Sequence, residues 1–415
     1  MRDARTIILL MAAAALPALV LRLGGIHLGV AADTMLFGLA IVAAAFLLAW
    51  AAEAAEVDVA QGVAVAFIAL IAVLPEYAVD ITFAWKAGQD PTFAPYAVAN
   101  MTGGNRLLIG AAWPLVFFVL WWRTRTRALL MERRYSVEVI ALAAATVYSF
   151  TLPLKGEIAV YDAIILGAIF LVYISVVARS PSEEPELVGP ARAIGSLPRF
   201  QRRATLLAMF TYAAAAVIAA AEPFAEGLIE VGTDLGIDRF LLVQWVAPLA
   251  SEAPEFLIAA ILAWRGRAAV AMGALLSSKV NQWTLLVGSL PLAYSWSAGE
   301  VAGLPLDTRQ QEEVLLTAAQ SLFAVGVLVS LSLSRTEAIA LFALFIIQFA
   351  IPVMEVRLAI SGIYVALAVW GAWRERAAIR ARIRDVWMLI RDPSTDLEEH
   401  PVATAPPPER LIERR

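Results

Sequence analysis

Two stretches of this 415-residue chain set a glutamate directly after a proline inside an apolar run, Leu74-Pro75-Glu76-Tyr77 and Ala253-Pro254-Glu255-Phe256. Ten residues after each proline stands the tryptophan of Ala84-Trp85-Lys86 or Ala263-Trp264-Arg265, so both features recur at one spacing of 179 residues. A proline inside a helix removes a backbone donor and frees the carbonyl one turn earlier, so each helix is expected to kink and to offer oxygens beside its glutamate. A charged carboxylate at membrane depth costs at least about 2.5 kcal/mol on insertion scales and must face a cation, a cavity or a basic partner. Two carboxylates with carbonyl and hydroxyl oxygens form a hard-oxygen cage of the kind Ca²⁺ prefers. Glu252 lies three residues before Glu255, on nearly the same helical face, and Asp80 lies one turn after Glu76. The alternative is that these acids pair with Arg106 and Lys279 to lock a bundle. A structural pair, however, requires no proline beside each acid. For Asp80, a vestibule charge is an equal alternative.

The elements that must carry these residues are helices. Hydrophobic residues make up 61% of the chain and charged residues 16%, against roughly 45–50% and 25% in soluble domains. Runs long enough to cross a bilayer fall near 6–24, 33–55, 59–87, 93–122, 135–153, 158–178, 203–231, 236–265, 268–296, 311–333, 335–353 and 355–373, and none alternates as a membrane barrel strand does. The fold class is therefore all-α, a polytopic membrane protein of about twelve spans. Basic residues collect in alternate loops: Arg2 and Arg5; Arg123 to Arg134; Arg179 to Arg203; Arg265 and Arg267; Arg335; and Arg374 onward. The opposite loops carry Asp90, Glu157, Asp234, Asp238, Glu300 and Asp307. That asymmetry predicts both termini on the cytoplasmic side of the cell inner membrane. Val30-Ala31-Ala32 could pass for a signal-peptidase site, but the first apolar run ends near Leu21 and Arg22 intervenes.

With these orientations the third span runs inside to outside and the eighth outside to inside, so the two Pro-Glu copies are inverted. Inverted repeats with interrupted helices mark secondary transporters that bind their cargo at the midplane. The expected organisation is an extra span in 1–32, a first repeat in 33–178 with core helices 59–122, a cytoplasmic linker at 179–202, and a second repeat in 203–353 with core helices 236–296. A further span follows at 354–373. The proline-rich Ser180-Pro181-Ser182-Glu183-Glu184-Pro185 reads as flexible. From Arg374 to Arg391 basic residues alternate with Ile379, Ile383, Val386, Trp387 and Leu389, as in a helix lying on an anionic leaflet; a solvated basic helix is the equal alternative. Residues 393–415 read as disordered. A net charge of -4 offers no field for nucleic acid, the absence of cysteine excludes thiolate chemistry, and His27 and His400 are too few for a histidine metal site.

At the Pro-Glu segments the chain resembles the cation/calcium exchanger superfamily, which includes the sodium/calcium exchangers and carries two inverted copies of a Gly-Thr-Ser-Leu-Pro-Glu helix followed by a Gly-Asn-x-x-Gly-Ser-Asn helix. The counterparts are Ile71-Ala72-Val73-Leu74-Pro75-Glu76 with Ala99-Asn100-Met101-Thr102-Gly103-Gly104-Asn105, and Ala250-Ser251-Glu252-Ala253-Pro254-Glu255 with Gly273-Ala274-Leu275-Leu276-Ser277-Ser278-Lys279. The resemblance covers residues 59–122 and 236–296. It implies ten helices, five per repeat, on spans two to six and seven to eleven. It also implies that Glu76 and Glu255 hold the cation, with Ser251 and Ser278 as hydroxyl ligands and Glu252, Asn100 and Asn105 as further candidates. The departures are specific. Ala72, Val73 and Gly104 stand where the family has hydroxyls, so oxygens expected to hold Na⁺ are missing. Glu252 replaces a serine, Lys279 an asparagine, and Gln282 stands where an acidic or amide ligand is usual. Past Asn105 the register between repeats is ambiguous, because Leu107-Leu108-Ile109-Gly110 arrives earlier than Leu285-Leu286-Val287-Gly288.

The expected function is secondary antiport of an inorganic cation, Ca²⁺ against Na⁺ or H⁺, with no permanently bound cofactor and no catalysis. The alternative is a non-transporting membrane protein with a degenerate site. A buried Lys279 is a candidate substitute for a coupling cation, favouring proton exchange, and static counter-charge is the alternative for both Lys279 and Arg106. Glu222-Pro223 in the seventh span marks a candidate sliding helix, with a pore-lining or interfacial acid as the alternative. A primary pump is excluded by the lack of a phosphate-binding Gly-Lys-Ser/Thr loop, and an intramembrane protease by the lack of paired catalytic residues.

Overall fold

The computed structural model describes residues 2–58, 73–179, 187–392, 395 and 397. Every expected span meets a helix. In chain order these are α1 (Arg2–Gly24), α2 (Val30–Ala55), α3 (Leu74–Gln89), α4 (Ala94–Leu107), α5 (Trp113–Thr124), α6 (Ser136–Ser149), the short α7 (Thr151–Lys155), α8 (Val160–Val177), α9 (Gly189–Gly195) and α10 (Arg199–Leu235). The second half continues with α11 (Arg239–Trp264), α12 (Ala268–Asn281), α13 (Val287–Ala298), α14 (Thr308–Leu328), α15 (Arg335–Ala350), α16 (Met354–Arg374) and α17 (Arg376–Arg391). Among the described residues, eight stretches are long and apolar enough to cross a membrane by length and composition. Of the other four spans, α3 and α15 have 16 residues each, and α14 carries Arg309, Glu312 and Glu313.

The two halves repeat each other closely. Both α4 and α12 have 14 residues, each runs into a five-residue π-helical segment (Leu108–Ala112 and Gln282–Leu286), and each continues as a 12-residue helix. All three pieces are related by 174 residues, which resolves the register past Asn105: Leu108 corresponds to Gln282, and the two Leu-Leu-x-Gly runs are not counterparts. Such π turns are frequent at functional sites, because one wide turn re-aims the side chains that follow.

The repeats interlock and do not stand side by side. α11 packs on α4 and α13 on α3, each contact crossing between repeats, while α2 lies along α10. Two antiparallel ribbons tie the repeats at both faces: Ala128–Leu130 (β1) pairs with Ser332–Ser334 (β4), and Glu157–Ile158 (β2) with Leu304–Pro305 (β3). In the first ribbon the strand after α5 meets the strand after α14. In the second, the strand after α7 meets the one after α13, so the repeats exchange roles on opposite faces, as inversion requires.

Two expectations change. Pro75 does not kink a continuous helix; it sits in the first turn of α3, which begins at Leu74, a position where its missing N–H costs nothing. Residues 59–72, including Ile71 and Ala72, lie outside the described residues. In the segment read as a linker, 180–186 is likewise outside them, but Gly189–Gly195 folds as α9 and packs on α2, with Ala191 and Ile194 buried. Apart from 395 and 397, the expected disordered tail lies outside the described residues.

One close approach sets the distance between α4 and α11. Pro248, inside α11, leaves Gln244 O without its helical N–H. A Cβ placed on Gly103 would overlap that carbonyl, whereas one on Gly167 of α8 would meet nothing within 4 Å. Gly103→Ala is therefore expected to destabilise the purified protein by about 1–3 kcal/mol despite the better helix propensity of alanine. Gly167→Ala should leave thermal unfolding unchanged or raise its midpoint. Equal midpoints for the two variants would contradict this packing.

Candidate functional site

Glu76 lies in the first turn of α3, where the unpaired N–H groups and helix dipole favour a negative side chain. It is buried, as are Asp80 one turn on, Asn100 of α4, and Ser251 and Glu252 of α11. Gln282, the first residue of the second π segment, joins the repeats: its Nε2 donates to Glu76 Oε2 at 2.8 Å and to Glu252 Oε1 at 3.1 Å. Glu76, Asp80, Asn100, Gly104, Ser251, Glu252 and Gln282 line a cavity of about 10 Å³ together with Met101, Pro248 and Leu286. That space suits one water or one bare cation.

The donor supply is short. Among the described residues nothing donates to Asp80 Oδ1, Asn100 Oδ1, Glu252 Oε2, Glu255 Oε2 or Gln282 Oε1, all of them buried. Buried acceptors are almost always satisfied, so a cluster that lacks donors is chemically suited to a proton, a water or a metal cation. Among the described residues no three acidic or histidine side chains form a ready-made metal cluster, so any cation held here relies on amide, hydroxyl and carbonyl oxygens as well. Ser251 Oγ donates back to Ala247 O and Pro248 O at 3.3 and 3.2 Å, leaving its lone pairs available.

Two departures from the family motif prove to be one. A Cβ on Gly104 would lie 2.5 Å from Glu252 Oε1. The serine lost at 104 in the first repeat makes room for the carboxylate that replaces a serine at 252 in the second.

The other predicted residues separate from this cavity. Glu255 accepts from Ser278 Oγ at 3.2 Å. Both line a larger hollow of about 350 Å³ among α2, α8, α11 and α12, which also holds Glu53, Glu56 and Asn281. Tyr77 donates to Asn281 Oδ1 at 2.9 Å across the repeats. The hollow lies toward the face where α2 and α11 end, the face of the arginine-bearing loops. Asn105 is not free to face a cation: its Oδ1 accepts from Lys279 Nζ at 2.5 Å and its Nδ2 donates to Met101 O at 2.8 Å. Lys279 is fully buried, and its ammonium also lies 4.4 Å from the Trp283 ring centroid.

Neither basic residue forms an ion pair with Glu76, Glu252 or Glu255, so the alternative in which these acids pair with Arg106 and Lys279 to lock the bundle is not what forms. Arg106 turns to a separate cluster, 2.6 Å from Glu313 Oε2. Arg357 binds Glu313 Oε1 at 3.2 Å and Glu312 Oε2 at 3.1 Å, and Arg106 also donates to Gln348 Oε1 at 3.2 Å and stacks on Trp245. Sequence reasoning missed Glu312, Glu313 and Arg357. The available signal was two adjacent acids inside an apolar span facing an arginine near the start of another. Glu222 pairs with Arg22 at 2.6 Å and Lys86 at 3.0 Å.

The family model for sodium/calcium exchanger proteins matches residues 30–179 and again 205–354. The chain belongs to that family. It is 44% identical to a crystallised H⁺/Ca²⁺ exchanger, CAX, over 94% of this chain and 99% of that one, with a TM-score of 0.90. The Ca²⁺/H⁺ antiporter protein YfkE shares the fold at 15% identity (83% and 99% covered, TM-score 0.56), as does the sodium-calcium exchanger NCX_Mj at 15% (77% and 98%, TM-score 0.50). No curated protein sequence matches the chain. The protein is thus a multi-pass membrane cation antiporter of the calcium-exchanger type, not an enzyme, and its family carries no permanent cofactor.

The Arg106 cluster predicts a clear asymmetry. Glu313→Gln leaves the buried Arg106 guanidinium without an acid partner, while Arg357 keeps Glu312, and should cost about 3–5 kcal/mol of stability. Adding Arg106→Gln should recover part of that loss, a coupling that a double-mutant cycle of unfolding midpoints in detergent reads directly. Simple additivity would show that the pair does not interact.

Proposed function

We propose that the protein exchanges Ca²⁺ for H⁺ by alternating access, holding the cation with Glu76, Glu252 and Glu255, assisted by Asp80, Asn100, Ser251, Ser278 and Gln282. The observation that carries this reading is the cluster of buried acceptor oxygens without donors, drawn from both inverted repeats. Ca²⁺ fits an all-oxygen set rich in carboxylates, and carboxylates are also the groups that take protons when the metal leaves. Sodium is disfavoured as counter-ion by the loss of hydroxyls at Val73 and Gly104, and the 44%-identical relative is an H⁺/Ca²⁺ exchanger. In this reading Asn105 tethers Lys279 near the acids without itself ligating the cargo.

The clustering of arginines in alternate loops supports a cytoplasmic location for both termini and for the 350 Å³ hollow. Glu255 and Ser278 then stand at the inner approach to the site. The opposite side is closed by Lys86 at the end of α3, which holds Glu226 and Glu222 of α10 at 2.6 and 3.0 Å. Outward opening requires α10, together with the α2 packed along it, to break that contact.

Purified protein in liposomes should take up Ca²⁺ when a pH gradient is imposed and show no dependence on a Na⁺ gradient. Uptake driven by Na⁺ alone would overturn the proton assignment. Glu76→Gln should abolish exchange, lowering the initial rate by about 10²-fold or more, the scale for losing a charged group that binds the cargo directly. Its size-exclusion profile should stay unchanged, because Gln282 still has Glu252 to bond. Retained transport would remove Glu76 from the site.

A further inference from the structure

Helix α17 is divided lengthwise into three faces. One is buried against the N-terminus of α6: Asp385, fully buried, binds Arg133 at 2.5 Å and Arg382 at 3.2 Å, and accepts from Ser136 Oγ at 3.2 Å. Ala381 and Leu389 complete this docked face. Nearly half a turn around the helix from Asp385, Ile383, Trp387 and Ile390 are exposed at 55%, 54% and 44%. The third face, next to that apolar stripe, carries Arg380, Arg384 and Arg391, all exposed. Among the described residues none of these three arginines pairs with an acid; Arg391 lies over the Trp387 ring.

A helix pinned to the protein on one side, with bare isoleucines and tryptophan on the second and unpaired arginines on the third, meets the requirements of a membrane interface. The helix follows directly from the last span, α16, so it begins at the surface of the leaflet on the arginine-bearing face. Exposed apolar side chains in water cost free energy that burial at the headgroup–acyl boundary recovers, and each basic residue there attracts anionic headgroups by about 1 kcal/mol. We propose that α17 is a docking surface for anionic phospholipid, with the apolar stripe at the acyl boundary and Arg380, Arg384 and Arg391 gathering the headgroups. The buried Asp385 cluster fixes the roll of the helix that allows both contacts at once.

The chain contains no cysteine, so single labels report unambiguously. An environment-sensitive dye on I383C, in full-length protein reconstituted in vesicles, is quenched by brominated phosphatidylglycerol or, at equal content, by brominated phosphatidylcholine. Stronger quenching by the anionic lipid is expected at position 383, and equal quenching by the two at I164C, which lies on the lipid-exposed side of α8. In I383C combined with R380Q, R384Q and R391Q the two lipids should become equivalent; each arginine removed lowers the anionic preference about fivefold. Equal quenching by both lipids in the otherwise unsubstituted protein overturns the proposal. So does the absence of quenching by either, which describes a solvated helix. Displacement of the anionic preference by inorganic phosphate, at an ionic strength where chloride has no effect, also overturns it, because the site would then be one for free phosphate.

Discussion

A carboxylate inside the bilayer has to find a positive partner, and this protein meets that constraint in two opposite ways. In one place Glu312 and Glu313 are closed by Arg357 and Arg106, two acids against two guanidinium groups. In the other, Glu76 and Glu252 share a single amide donor beside Asp80, and the one nearby ammonium, Lys279, is bonded to an asparagine. The first cluster is internally neutral and has no use for an ion. The second is short of positive charge and of donors alike. The contrast separates the residues that hold the bundle from those suited to hold cargo, although all lie in apolar helices and look alike as isolated charges.

The inverted duplication explains how oxygens from distant parts of the chain meet. α3 packs on α13 and α11 on α4, so each Pro-Glu helix lies against the second element of the other repeat. Gln282, at the opening of a π turn in the second repeat, thereby reaches Glu76 of the first as well as Glu252 of its own. Divergence then acts across the two-fold relation. With glycine at 104, the first repeat gives up a side chain where the second inserts a carboxylate, so a position that is lost locally is refilled from the opposite copy.

Much of this was legible in the sequence. The all-helical polytopic fold, the duplication and the Pro-Glu helices follow from apolar run length and one repeated spacing, both of which are local or periodic signals. What was not legible depends on tertiary contact. Nothing in the sequence around Arg106 says that Glu313, more than 200 residues away, receives it in preference to Glu76. Pro75 and Pro254 look alike in sequence, yet one sits in the first turn of α3 and the other lies within α11. The five-residue change in spacing between the repeats, from 179 to 174, falls in the turn joining their two core helices, where no apolar pattern marks it. Asn105 matched the family motif, yet Lys279, itself a departure, takes up its side chain.

The shortage of donors also bears on why transport would be coupled. An antiporter must not cross the membrane empty, or one gradient would dissipate without driving the other. If the cation or its replacing protons were absent while both faces were closed, the acids around the 10 Å³ cavity would be left charged against bare oxygens. Each such charge costs at least about 2.5–3.5 kcal/mol at membrane depth. Two together would suppress the empty, occluded form by about 10⁴-fold. A cage with a full complement of donors would lack this penalty and would leak. On the proposed reading, the same bare acceptors that attract the cation make exchange obligatory, with no separate device needed to prevent slip.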